Sequence, residues 1–480
     1  METTGLKNFL EIPYDELEEK NLEMKEDRSK RTPAPELAER RRKEISDEKR
    51  LKAITVCFTD LEGRLHMLDY DKKFLLKSED NLTFDGSSIR GFSHQHESDL
   101  RLAMDWSAMY WMPADVFGPG KVLVFAHVLN RDGTPYPADF RGRLKQLSDD
   151  LFAREKTIAN VAMEIEGFLF QGRDAERHYH ETGKFDWVST GGYYHSLPND
   201  PLRQFIDRAA EAQRAMGFQN EKDHPEVAPS QFEMNYHFSE VMIGADQVQL
   251  YKLLCRQVAQ NLGVTASFLP KPVTGVNGSG MHTNLSLNKE GKNLFYDKKG
   301  EDGLSPLGWS FIDKILNSGT DTCLILNSSV NSYRRLDPAF EAPNQIKASA
   351  LNRGAMVRIP FGNERSARIE VRSIAPDANP YLVLYSILKT GLEGPATDPK
   401  DKEGKRERTR FLPDNIYDAI RLFKSSTFIT QTLGEEMQTR FAELKQGAAD
   451  RCPKALGARI KREEIMYHHE VTNQLLWSMF

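Results

Sequence analysis

The sequence has four cysteines, Cys57, Cys255, Cys323 and Cys452, all far apart and none in a Cys-x-x-Cys pair. That excludes a disulfide framework and leaves each thiol as a structural side chain in a reducing compartment. No apolar run is long enough to cross a bilayer, and no apolar leader opens the chain, so a cytoplasmic protein without a membrane partner is expected. A basic excess is also missing. Lys plus Arg is 65 against 70 for Asp plus Glu, a net charge of −5, which argues against a dedicated nucleic-acid binder. Neither a Gly-x-x-x-x-Gly-Lys-Ser/Thr loop nor a Gly-x-Gly-x-x-Gly helix start is found, so P-loop and Rossmann nucleotide sites are unsupported. The 480 residues, 39% of them hydrophobic, suffice for two or more domains around a large core.

What the chain does have is a set of strands with charge on one face. In Arg368-Ile-Glu370-Val-Arg372, alternation sends the charged residues to one side and Ile369 and Val371 to the other. Glu164-Ile-Glu166 repeats the pattern, as do Gln231 to Phe238 and Met281 to Leu287, where His282, Asn284 and Ser286 share a face. One such strand reads as an ordinary wet face. A group of them rich in Glu, His and Arg reads as an antiparallel sheet lining a polar cleft.

Glu164, Glu166, Glu226, Glu233 and Glu370 with His282 form a ligand set suited to hard divalent ions, Mg²⁺ or Mn²⁺. A turn at Pro229 can bring Glu226 and Glu233 together. Without a cysteine or a second placed histidine the set suits zinc less well than those ions. It exceeds what one Mg²⁺ takes from protein, so two or more ions clamping a phosphoryl group are expected. Arg335, Arg353, Arg358, Arg365, Arg368 and Arg372 supply cations of the kind that stabilise a transferring phosphoryl. The loops Phe84 to Ile89 and Asn277 to Gly280 are rich in glycine and allow close backbone approach.

Along the chain, residues 1–50 read as a charged extension adding little core, with an exposed helix near Glu36 to Glu44. Residues 51–137 read as a small β-rich domain, and residues 138–480 as a larger domain ending in a helical region. Helices are expected over Arg141 to Arg154, Pro201 to Met216 and Ala245 to Leu262, and a solvated charged insertion over 398–410.

The motifs carried by these segments resemble glutamine synthetase in its bacterial type I form. They are Phe84-Asp-Gly-Ser-Ser-Ile89, Glu164-x-Glu166, Glu226 to Glu233, Lys271 to His282, Asn331 to Pro343, Asn352-Arg-x-Ala355, Arg368 to Arg372 and Asn379-Pro-Tyr-Leu382, in family order. The resemblance implies an α+β fold, with a small N-terminal β-grasp-like domain and a large catalytic domain built on a curved antiparallel sheet flanked by helices. It implies ATP-dependent ligation of ammonia to the γ-carboxylate of L-glutamate through γ-glutamyl phosphate. It also implies homo-oligomers of stacked hexameric rings, with the Asp85 loop completing a neighbour's site. Glu166, Glu226 and Glu233 would hold one metal ion, and Glu164, His282 and Glu370 another. Asn277, Gly278, His282, Arg335 and Arg372 would bind glutamate, and Glu221, Ser286, Arg353, Arg358 and Arg365 would face ATP. Arg353 would also stabilise the transferring phosphoryl. Asp85 would deprotonate ammonium in a pocket framed by Ser88 and Tyr193, and Glu341 would close the site. Asn284 stands where the family usually has a second histidine. Alternatives are a γ-glutamyl ligase for a larger amine and an inactive scaffold or regulator.

Overall fold

The computed structural model describes residues 12–49, 51, 53–118, 120–397 and 409–450. Most of the 398–410 insertion, Cys452 and the end of the C-terminal helical region lie outside them.

The smaller sheet contains β1 (Ala53–Thr59), β2 (Leu65–Asp71), β3 (Leu82–Asp85), β4 (Asp99–Trp111) and β5 (Val122–Leu129), in the order β2-β1-β5-β4-β3. Ile54 to Phe58 is buried throughout, apolar except for Thr55, because β1 lies inside this sheet, between β2 and a parallel β5, with both faces covered. The expected turns after Asp60 and at Asp132-Gly133 are present.

The larger sheet contains β6 (Thr157–Gln171), β7 (Asn220–Pro225), β8 (Gln231–Tyr236), β9 (Ser239–Glu240), β10 (Val264–Ser267), β11 (Met281–Lys289), β12 (Lys292–Asn293), β13 (Gln345–Ser349), β14 (Ala355–Arg358) and β15 (Ile369–Val371). Its main path runs β13-β14-β15-β11-β6-β8-β7. The expected antiparallel pairing holds throughout except between β13 and β14, which are parallel. On β6 the odd residues Ala159, Val161, Met163 and Ile165 are buried against helices, and the even residues face the cleft. Helix Val241–Asn261 lies behind this strand, with the Tyr251 hydroxyl donating to the Ile165 carbonyl at 3.1 Å. It starts four residues before the expected Ala245 because the Glu240 side chain caps it, accepting from Met242 N. Helix Pro380–Glu393 starts at Pro380 and is capped by Asn379, whose side chain also donates to the carbonyls of Asp60 and Leu61 and so ties the two sheets together.

The N-terminal segment corrects an expectation. Helices Tyr14–Ser29 and Ala34–Asp47 are not appendages with little core, because Leu17, Met24, Ala38 and Ile45 are buried in the main apolar cluster. The sparse apolar residues hid this, because much of what is buried here is polar and paired. Asn21 donates to the carbonyls of Trp111 and Ala215 and accepts from Trp111 N. Arg28 reaches Asp246 at 2.8 Å. Among the described residues no helix is long and apolar enough to cross a membrane.

Candidate active site

Strand register assembles the cleft. His282 on β11 lies opposite Glu164 on β6, and Asn284 lies opposite Glu370 on β15. Glu166 lies opposite Glu233 on β8, which in turn lies opposite His224 on β7. Acidic groups spread over some two hundred residues of chain thus share one face. Glu164, Glu166, Glu226, Glu233, His224 and His282 line a cavity of about 430 Å³ together with Tyr193, Asn277, Gly278, Arg335, Glu341, Arg353, Arg358 and Arg372, and Glu370 lies buried behind Arg358 and Arg372.

Two groups of candidate metal donors stand there. In one, Glu164, His282 and Glu370 present ligand atoms within 4.8 Å of one another, and in the other His224, Glu226 and Glu233 do so. Glu166 stands between them, with Oε1 3.8 Å from His282 Nδ1 and Oε2 accepting from Gly280 N at 2.7 Å. His224 was missed in the sequence. The strand pattern was followed only from Gln231, although Lys222 and His224 alternate on the same terms one turn earlier.

The electrostatics fit divalent cations. Burial, reinforced by the charge of Glu166, pushes Glu226 up to about 8. Burial and the charges of Glu166, Glu164 and Glu226 also push Glu233 well up. His224 Nε2 is buried without a hydrogen-bond partner, 4.0 Å from Glu233. Oxygen-rich donors that repel one another, beside an unsatisfied imidazole nitrogen, are what a hard cation would stabilise. Glu164 differs: burial would raise it, but His282 and the Asn284 amide outweigh that and bring it down to about 2.

A pH dependence follows. In the metal-free fold Glu226 keeps its proton up to about 8, whereas the unfolded chain releases it near the ordinary 4.5. The folded form therefore binds more protons between those values, and metal-free stability is expected to fall as pH rises from 4.5 toward 8. Saturating Mg²⁺ should flatten that decline, and binding should release protons. Melting curves across this range with Mg²⁺ or with EDTA test it, and parallel curves would refute it.

The arginines divide the work differently from the expected row. Glu370, 1% exposed, accepts from Arg372 Nη1 and from Arg358 Nη1, each at 2.7 Å. Arg368 instead turns to Asn284, donating to Oδ1 at 2.8 Å, while Asn284 Nδ2 donates to Glu164 at 3.0 Å. Asn284 therefore links a guanidinium to a candidate metal ligand. Arg335 is 3% exposed; its Nη2 donates to the Arg372 carbonyl, and its Nη1 is buried without a hydrogen-bond partner. An unmet donor on a buried cation suits a carboxylate substrate. A side chain on Gly278 would place its Cβ 2.4 Å from the Pro270 carbonyl, so the loop leading to His282 keeps its path only with glycine there.

Some expected residues stand apart from this cavity. Asp85 and Ser88 lie at the exposed end of β3 in the smaller sheet, outside its lining. Hydrogen bonds from Ser87, then Ser88, hold Asp85 below the usual carboxylate range. Glu221 bonds His237 at 2.8 Å, Ser286 lies farther along β11 opposite Asn160, and Arg365 sits in an exposed turn; none of the three lines the cavity.

Comparison with known proteins gives one consistent family. The family model described as "Glutamine synthetase, beta-Grasp domain" matches residues 50–131, and "Glutamine synthetase, catalytic domain" matches residues 137–459. A glutamine synthetase of Methanosarcina mazei is 36% identical over 420 residues, covering 84% of this chain and 92% of that one. One of Clostridium saccharobutylicum is 34% identical over 421 residues, covering 84% and 93%. The solved structure titled "GmaS/ADP complex-Conformation 1" superposes with a TM-score of 0.72 at 27% identity, over 85% of this chain and 95% of that one. A cryo-EM structure of Plasmodium falciparum glutamine synthetase gives 0.75 at 22% identity, over 86% and 96%, a likeness of fold.

Proposed function

This chain belongs to the glutamine synthetase family, and from that membership we propose that it joins ammonia to the γ-carboxylate of L-glutamate at the expense of ATP, through γ-glutamyl phosphate. The observation that carries the reading is the register-locked convergence of two donor groups with Arg335, Arg353, Arg358 and Arg372 around one cavity.

Arg335 and Arg372, with Asn277 and Gly278, would hold glutamate so that its γ-carboxylate meets the γ-phosphate of ATP. Glu221, Ser286, Arg358 and Arg365 would face the nucleotide, and Arg353 would steady the phosphoryl as it passes. Glu164, His282 and Glu370 would hold one divalent ion and Glu166, Glu226 and Glu233 another, joined by His224; Mg²⁺ or Mn²⁺ there would neutralise phosphoryl charge. Ammonia then attacks the acyl carbon, the bond to phosphate breaks, and glutamine and phosphate leave. Asp85, ionised at neutral pH, would attract ammonium and accept its proton beside Ser88 and Tyr193. Its place outside the cavity lining of its own chain supports a neighbouring copy as the source of this loop. A homo-oligomer of stacked hexameric rings in the cytoplasm fits that arrangement.

Glu341 accepts from Asn277 Nδ2 at 3.0 Å, across the mouth of the cavity. Glu341→Ala is expected to leave glutamate binding measurable and to lower kcat about a hundred-fold, the scale of loss from a misplaced closing group. Unchanged turnover would remove Glu341 from this role. The function itself is tested by phosphate release with ATP, glutamate and Mg²⁺ over a panel of amines. Release with ammonia supports it, whereas release only with alkylamines or polyamines, or none at all, overturns it.

A further inference from the structure

We propose that Lys271 and the ring of Phe340 form a latch holding the Glu341 segment closed, which makes Lys271 a positioning residue that keeps water from the acyl phosphate. The proposal rests on the glutamine-forming reading for its chemistry but on geometry for the latch.

Lys271 is 4% exposed, and its backbone is fixed at both ends by Asn331, which accepts from Lys271 N at 2.7 Å and donates to its carbonyl at 3.0 Å. The side chain passes beneath Gly278, and Nζ donates to the Val276 carbonyl. The same Nζ stands 3.9 Å from the centroid of the Phe340 ring. Phe340 ends the short turn Pro338–Phe340, in which Ala339 N donates to the Asp337 side chain at 2.9 Å. Glu341 follows at φ 59°, a conformation that a residue with a side chain adopts only when its surroundings hold it. Two ties therefore join the substrate loop to the closing segment. The Asn277–Glu341 bond lies at the exposed rim and the Lys271–Phe340 contact beneath it.

The rim bond competes with water on equal terms, whereas the buried ammonium does not. Burial pushes its pKa down to about 8, with Asp337 opposing and Arg335 adding to the fall. The Phe340 face partly restores what the ammonium lost on leaving water, and it does so only while the segment is closed. When the segment swings away, water regains the ammonium and the acyl carbon together. Water attack at that carbon then breaks the bond to phosphate and returns glutamate, so ATP is spent without glutamine.

The test compares Lys271→Met, Phe340→Leu and Phe340→Tyr with the unaltered protein in two measurements. Amide exchange over residues 337–342 is expected to quicken about thirty-fold in K271M and F340L, the factor for one desolvated cation–π contact, and to stay unchanged in F340Y, which keeps the ring. Phosphate released per glutamine formed is expected to rise above one in the first two and to remain one in F340Y, with glutamate KM little altered. Unchanged exchange in K271M overturns the latch whatever the enzyme makes. Faster exchange in a protein that makes no glutamine leaves the latch standing and overturns the function.

Discussion

Glu370→Gln is expected to lower kcat by about 10²–10³-fold or more and to remove metal-dependent binding of ATP. The carboxylate is buried, receives one guanidinium on each oxygen and contributes to the donor group with Glu164 and His282. Glutamine has the same shape but offers one oxygen, so its amide N–H₂ must point at Arg358 or at Arg372. One guanidinium then loses its partner, and the metal group loses a full negative charge. Isothermal titration with Mg²⁺ and a non-hydrolysable ATP analogue checks the second effect. Equal affinity in E370Q and the unaltered protein would end the assignment of Glu370 to a metal.

Asp246→Asn is expected to lower folding stability by about 3–5 kcal/mol, the cost of breaking one side of a buried ion network. Asp246 is wholly buried and accepts from Arg141 Nε at 2.9 Å, from Arg141 Nη2 at 2.8 Å and from the Tyr381 hydroxyl at 2.6 Å, and it pairs with Arg28 at 2.8 Å. Arg141 also donates to Asp105 at 2.8 Å, which extends the network into the smaller sheet. The neutral amide leaves Arg28 and Arg141 facing each other with one buried countercharge fewer. Burial would raise the Asp246 pKa, but Arg141 and Arg28 outweigh it and hold it low, so this stabilisation is present at neutral pH and is lost as pH falls through the lowered value. Urea unfolding at pH 7 tests the loss, and an unchanged midpoint would refute it.

The cleft strands were legible because a strand with one buried face writes its register into the sequence. Ile165, Ile369 and Val371 marked the inner side, and the glutamates between them marked the outer. Glu164, His282 and Glu370 were therefore foreseeable as neighbours. Arg358 as a partner of Glu370 was not, because it comes from the next strand and alternation within one strand says nothing about pairing across two. The role of Asn21 and Arg28 was hidden for a related reason: composition marks a charged helix as exposed, and only tertiary partners make such residues core. Asp85 was legible only as a loop motif, since among the described residues its loop lies outside the cavity that the donor groups line.

The pairing of β6 with β11 from Met281↔Ile165 to Lys289↔Thr157 runs without a shift. With a period of two, an inserted or deleted residue in either strand would send Glu164 and His282 to opposite sides of the sheet. Insertions and deletions are thus expected to be tolerated only in the connections between strands and helices, and a single-codon indel within 157–166 or 281–286 should be lethal to catalysis even where the polypeptide still folds.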